Sequence, residues 1–158
     1  MILAALAAFA VIVLRLFLYY TGHPPEGIDF LIVHCLALAT LVFFTDHRLL
    51  TTDRTAGFPL LMREGFKSAA VYALIIAVFI WIYYATVEHT YFTHRVNAMV
   101  AKGMAEGQPE NVIRPRLEKF FTPFNYTSIT FFGLLIAGGF NALMLGMLHH
   151  KVLRRFRR

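Results

Sequence analysis

The chain has 158 residues, about the length of one domain, and 58% of them are apolar. Soluble domains usually contain about 45–50% apolar residues, so this composition, with a mean hydropathy of +0.61, excludes an ordinary soluble fold. A net charge of +6 is often found in nucleic-acid-binding proteins, but the long uncharged segments exclude that class. The single cysteine, Cys35, excludes a disulfide framework and a thiolate metal cluster. No cofactor is predicted.

Four apolar segments are long enough to cross a membrane as helices, at about residues 2–20, 28–44, 67–87 and 128–148. About 20 helical residues span the roughly 30 Å of a bilayer core. A spanning segment must be helical, because lipid cannot satisfy the backbone amides of an extended chain. The first segment is predicted to be a retained span rather than a cleaved signal peptide, because it lacks a basic start and continues past Arg15.

Residues 88–127, between the third and fourth spans, are predicted to form an amphipathic helical hairpin that lies on the outer surface of the bilayer, with its apolar faces against lipid or the helix bundle. Its first helix ends at Gly107, and its second has Pro115 in an early turn. The two apolar faces contain Phe92, Val96, Met99, Val100 and Gly103 in the first helix and Ile113, Leu117, Phe120 and Phe121 in the second. This hairpin either packs on the chain's own helices or binds a partner, and both alternatives stay open. The predicted fold is therefore all-α: a single membrane domain, residues 1–158, built as a four-helix bundle with an extramembrane hairpin.

The distribution of Lys and Arg predicts that both termini are cytoplasmic. The second loop, together with Lys67 directly after it, shares one side of a four-span protein with the C-terminal tail. These segments hold nine basic residues against five in residues 88–127. The tail is predicted to anchor the inner leaflet through Lys151, Arg154, Arg155, Arg157 and Arg158, each contributing about 1 kcal/mol. Since neighbouring helical residues point about 100° apart, His149 and His150 are predicted to be interface residues rather than metal ligands.

Three ionisable residues are predicted to meet near the outer edge of the membrane. Arg15 and His34 lie about 8–9 Å below that edge on helices joined by a short loop, and Glu88 ends the third span on the same side. Two interpretations stay open. In one, Arg15 extends to water while His34 bonds a backbone carbonyl. In the other, Arg15, His34 and Glu88 line a small polar pocket that opens outward.

The fourth span carries a stripe of small residues, Gly138, Ala142 and Gly146, at a spacing of four. Such a stripe lets another helix backbone come close, and the neighbouring Asn141 is able to bond across the contact. The stripe serves either packing within the bundle or homodimerisation.

The sequence contains no P-loop and no GxSxG, HExxH or CxxC motif, so no catalytic residue and no metal site are predicted. We therefore expect a non-enzymatic structural or accessory membrane protein. Its expected partners are the lipid bilayer and either a second copy or another membrane protein, without nucleic acid. The alternative is a small-molecule or lipid-handling protein that uses the Arg15, His34 and Glu88 region.

Three segments of the second half resemble a bacterial membrane family, domain of unknown function 4199: RTAGFPLLMREGFKSAAVYALIIAVFIWIYY, VNAMVAKGMAEGQPENVIRPRLEKFFTPF and TFFGLLIAGGFNALMLG. The resemblance covers roughly residues 50–158, and the first half is similar in layout only. It implies four spans and a bacterial origin, and hence the inner membrane. It implies no active-site residue.

Overall fold

The computed structural model describes residues 1–23 and 28–152, and all the regular secondary structure of these residues is α-helix, in six helices. The all-α prediction is confirmed for these residues. In chain order the helices are α1 (Ile2–Tyr20), α2 (Ile28–Thr52), α3 (Phe58–Thr86), α4 (Tyr91–Ala105), α5 (Glu110–Phe120) and α6 (Pro123–Lys151).

Four of these helices, α1, α2, α3 and α6, are long and apolar enough to cross a membrane. Helix α1 has the predicted bounds, whereas the other three continue beyond their apolar segments. Apolar composition marks the part of a helix that is compatible with lipid. The backbone hydrogen bonds of the helix continue through polar residues until a turn or a capping residue ends the helix. The helices are therefore longer than the hydropathy pattern that predicts them.

The end of α2 is set by a turn at Asp53. Its Oδ1 atom accepts hydrogen bonds from the backbone N–H of Thr55 at 2.8 Å and from the Thr55 hydroxyl at 2.6 Å. An Asp side chain that binds the backbone two residues ahead favours a turn over further helix. Because α2 reaches this turn, Asp46 lies within the helix and not in the loop predicted to begin at residue 45.

The start of α6 follows the usual pattern of a capped helix. The Thr122 hydroxyl accepts a hydrogen bond from the backbone N–H of Asn125 at 3.1 Å, and Pro123 occupies the first helical position. A threonine at this position satisfies one of the N–H groups that a helix start leaves without a partner, and proline suits the next position because its missing N–H is not needed there.

The chain divides into two compact units, one formed by residues 1–76 and 131–158 and the other by Ala77–Thr130. In the first unit, α1 packs on α2, and the small residues Ala4 and Ala8 of α1 are both fully buried. Small residues let two backbones approach closely, which is how helices associate where water does not drive burial. Larger side chains fill the rest of this interior, among them Leu38, Val42, Leu61, Tyr72, Ile76 and Leu134.

The second unit contains α4 and α5, which pack against each other. The chain turns between them at Gly107, whose φ of +85° is a conformation that other residues rarely adopt. Gly103 makes room for the second helix, because a Cβ at this position would lie 2.8 Å from Cδ1 of Ile113. Tyr84 and Tyr126 complete the unit, with their rings 5.1 Å apart.

Two details of this unit bear on the predicted hairpin. Pro115, predicted in an early turn, is the sixth residue of α5, because the helix already begins at Glu110. Met99 and Phe120, predicted on apolar faces, are 39% and 55% exposed. Phe92, Val96, Val100 and Gly103 are buried as the helical periodicity predicts.

Candidate functional site

Arg15 and His34 lie in the interior of the first unit, where they are 6% and 5% exposed. The ring of Phe30 connects them. The guanidinium carbon of Arg15 lies 5.0 Å from the Phe30 ring centre, and the His34 ring is 4.9 Å from the same ring at a right angle. A cation over an aromatic face is stabilised by about 0.5–2 kcal/mol, more where water is absent. The Phe30 ring therefore packs against both Arg15 and His34.

The partner of His34 is a residue that the sequence did not suggest. Nδ1 of His34 lies 2.7 Å from the hydroxyl of Tyr72, which is completely buried. This short contact joins α2 to α3, and it replaces the backbone carbonyl expected as the partner of His34. A polar pair of this kind satisfies two groups that would otherwise be costly to bury.

Glu88 belongs to the second unit and lies in the turn between α3 and α4. Its backbone N–H donates to the carbonyl of Tyr83 at 3.0 Å, and its carbonyl accepts from the N–H of Tyr91 at 3.2 Å. Its side chain is half-buried. The pairing of Glu88 with Arg15 stays a prediction.

The small-residue stripe of α6 faces α3 within the chain. A Cβ on Gly138 would lie 2.6 Å from the Cβ of Ala69, and a Cβ on Gly146 would lie 3.4 Å from the ring of Phe58. Ala142, between them, is fully buried. The stripe therefore contributes to packing inside the first unit, and homodimerisation through it would first require α3 to move away.

Asn141 bonds within its own helix and not across a helix contact. Its Nδ2 atom donates to the carbonyl of Ala137 at 2.9 Å, four residues earlier on α6. The side chain is half-buried. A polar side chain in an apolar environment needs a hydrogen-bond acceptor, and a backbone carbonyl in the preceding turn of the same helix is the nearest one.

The basic tail is described only at its start. Lys151 is the last residue of α6 and is exposed. Arg154, Arg155, Arg157 and Arg158 lie outside the described residues, so their role as an inner-leaflet anchor stays a prediction.

One buried ionisable pair was missed by the sequence predictions. Asp46 on α2 and His149 on α6 are both 0% exposed, and Oδ2 of Asp46 lies 3.6 Å from Nδ1 of His149. The sequence pattern assigned Asp46 to a loop and His149 to the membrane interface. Their proximity follows from the packing of α2 and α6, because the two residues are 103 positions apart in the chain.

An open cleft of about 240 Å³ lies beside α2 in the same unit. Its polar lining consists of hydroxyl and charged groups from α2 and α3, namely Thr45, Arg48, Thr52, Glu64 and Ser68. The Thr45 hydroxyl donates to Ser68 Oγ at 3.2 Å. Thr45 directly precedes Asp46, so solvent-accessible space reaches the residue next to the buried carboxylate.

Comparison with known proteins yields no match for this chain among family models, curated proteins or solved structures. The resemblance to the four-span bacterial family stays a prediction from the sequence.

Proposed function

We propose that the chain is a four-span integral protein of the bacterial inner membrane that acts as a non-enzymatic accessory or structural subunit. One observation carries the proposal: four long apolar helices present large apolar side chains outward. Phe9, Leu36, Ile136 and Phe140 are each more than 60% exposed. A soluble monomer rarely exposes so much apolar surface, whereas lipid tails make such a surface favourable.

The proposed orientation puts both termini in the cytoplasm, because basic residues concentrate in the second loop and the tail. A reporter that is active only outside the cytoplasm tests it. Fused after Arg158 the reporter should be silent, and inserted at Gly107 it should be active. Gly107 is a suitable insertion point because it is exposed and lies in the turn between α4 and α5. The opposite pattern of activity would refute the orientation.

The Arg15 and His34 region supports a structural role more than ligand binding. Both side chains are nearly completely buried, and the aromatic residues Phe30 and Tyr72 occupy the positions next to them. A ligand pocket is a concave space with a few polar groups directed into it. Here the polar groups are directed at neighbouring side chains, which favours the accessory function over the handling of small molecules.

The accessory function is assigned to α4 and α5, which form a preorganised element. Arg114 links the two helices: its Nη1 atom donates to Oδ1 of Asn97 at 2.8 Å, and its Nη2 atom lies 2.7 Å from Oε1 of Glu110. Helix α5 has no buried residue, and most of its side chains are exposed and available to a partner. A surface that is already ordered loses less conformational entropy on binding.

We assign a protein rather than lipid as the partner of α5, because α5 carries exposed charges of both signs. Glu118 alternates with Arg116 and Lys119 next to the exposed apolar side chains of Val112 and Phe120. Helices that lie on a bilayer usually have a polar face rich in Lys and Arg, and anionic lipids repel carboxylates. Mixed charges suit a protein surface with a complementary pattern.

A photo-crosslinking amino acid distinguishes these partners in membranes. Placed at Val112, which is 44% exposed, it should form an adduct with one protein. The matched control is the adjacent Ile113, whose side chain packs against Gly103 and should give no such adduct. Lipid adducts alone at position 112 would show that α5 lies on the membrane and would refute the accessory function.

A further inference from the structure

The buried pair of Asp46 and His149 lies where three helices of the first unit meet. Asp46 is on α2, His149 is on α6, and Gly65 on α3 borders the carboxylate. A Cβ on Gly65 would lie 3.5 Å from Oδ1 of Asp46 and 3.1 Å from Cγ1 of Val42. Gly65 therefore brings α3 into van der Waals contact range of the carboxylate, and a side chain at this position would be tight against Val42.

The carboxylate is buried without the hydrogen bonds that would stabilise its charge. Neither oxygen of Asp46 has a hydrogen-bond partner among the described residues, and the 3.6 Å separation from His149 is too long for a hydrogen bond. An isolated buried charge costs far more than a neutral polar group, and a buried carboxylate keeps its charge only beside a cation or several donors. The favourable states of the pair are therefore those with no net charge.

The geometry of His149 defines which nitrogen exchanges a proton. Nδ1 lies 3.0 Å from the carbonyl of Leu145, and a carbonyl only accepts, so Nδ1 carries a hydrogen. Nε2 is then the nitrogen that gains or loses a proton. The centre of the Phe43 ring lies 4.8 Å from that of the imidazole, so an apolar ring packs against His149.

We propose that Asp46 and His149 form a proton-binding site within the helix bundle, in which the two side chains share one exchangeable proton. The pair is neutral with the proton on Asp46 and the imidazole uncharged, or with Asp46 ionised and His149 as imidazolium. Loss of the proton would leave a buried negative charge, and gain of a second would leave a buried positive charge. Ionisable residues within membrane helices commonly take part in proton transfer. A proton-binding site would be a further property of the protein, separate from the accessory function proposed above.

The charged or titratable residues next to Asp46 and His149 in the chain, and those lining the adjacent cleft, are each at least partly exposed. They are His47 and Arg48 beside Asp46, His150 and Lys151 beside His149, and Met1 and Glu64 in the cleft. Glu64 is paired with Lys67 at 3.2 Å on the surface of α3. None of these groups is a fully buried counter-charge, and His149 is the buried partner of Asp46.

Labelling with dicyclohexylcarbodiimide tests the proposal on the intact protein in detergent or nanodiscs. This apolar reagent adds to a carboxylic acid: the acid O–H adds across one C=N bond, and rearrangement gives a stable N-acylurea without a leaving group. Mass spectrometry should locate the adduct at Asp46, with a yield that falls as pH rises from about 5 to 9. Asp46→Asn, an isosteric change, should abolish it.

The sharing of the proton is tested by His149→Gln. Without an imidazolium nearby, the carboxyl group should stay protonated to higher pH, so the midpoint of labelling should rise by about one pH unit or more. If His149→Gln does not fold, the His149 ring is followed by NMR in Asp46→Asn instead. Without the carboxylate nearby, the imidazolium should lose its proton at a pH about one unit or more below that in the unsubstituted protein. The proposal would be overturned if Asp46 in the unsubstituted protein stayed unlabelled throughout this pH range. It would also be overturned if the labelling midpoint were the same in His149→Gln and the titration of the His149 ring were the same in Asp46→Asn.

Discussion

Replacement of Gly138 by alanine should destabilise the first unit, and the structure sets the size of the effect. The new Cβ would lie 2.6 Å from the Cβ of Ala69, whereas carbon atoms in contact prefer about 3.5–4.0 Å. Ala69 has no flexible side chain that could move aside, so α3 and α6 must separate by about 1 Å. Overpacking of this kind costs about 1–3 kcal/mol.

Gly133→Ala is the matched control, because it lies on the same helix and no atom lies within 4 Å of its new Cβ. Both substitutions gain the same helix propensity, about 1 kcal/mol, so the difference between the two variants isolates the overpacking term. At roughly 2–4 °C per kcal/mol, Gly138→Ala should melt about 2–12 °C below Gly133→Ala.

The assay is thermal unfolding of the purified variants in one detergent, followed by circular dichroism. A Gly138→Ala variant that melts with or above Gly133→Ala would refute the close approach of α6 to α3. Gly138→Leu adds a larger side chain at the same point and should lower the melting temperature further.

Two further predictions concern polar contacts of different burial. Tyr72→Phe should lower the free energy of unfolding by about 1–3 kcal/mol, because it leaves His34 without its hydrogen-bond partner at 2.7 Å. The control Tyr20→Phe, at a residue that is 76% exposed, should leave the melting temperature unchanged. Equal effects of the two substitutions would contradict the buried pair. Arg114→Gln removes a partly exposed contact with Asn97, so global stability should change by less than about 1 kcal/mol, while amide hydrogen exchange in α5 should become faster. Unchanged exchange in α5 would show that this contact does not order the helix.

Local composition was sufficient to predict the helical class, the number of long apolar helices and the bounds of α1. It also predicted which face of α4 is buried, because the 3.6-residue period repeats within a few turns of one helix. These properties depend on neighbours in the chain, so a sequence window contains the information that determines them. The small-residue spacing on α6 likewise indicated a close helix contact before any partner helix was known.

Tertiary packing alone decided which residues became partners. Hydropathy ended the second span before Asp46, but the hydrogen bonds of α2 continue to Thr52 and bring that carboxylate into the interior. Its partner, His149, comes from the other end of the chain, and His34 meets Tyr72 rather than a backbone carbonyl. The stripe on α6 packs against α3 because Gly138 and Ala69 are complementary in size. Burial and pairing depend on which helix faces touch, and contacts between helices arise only when the bundle forms.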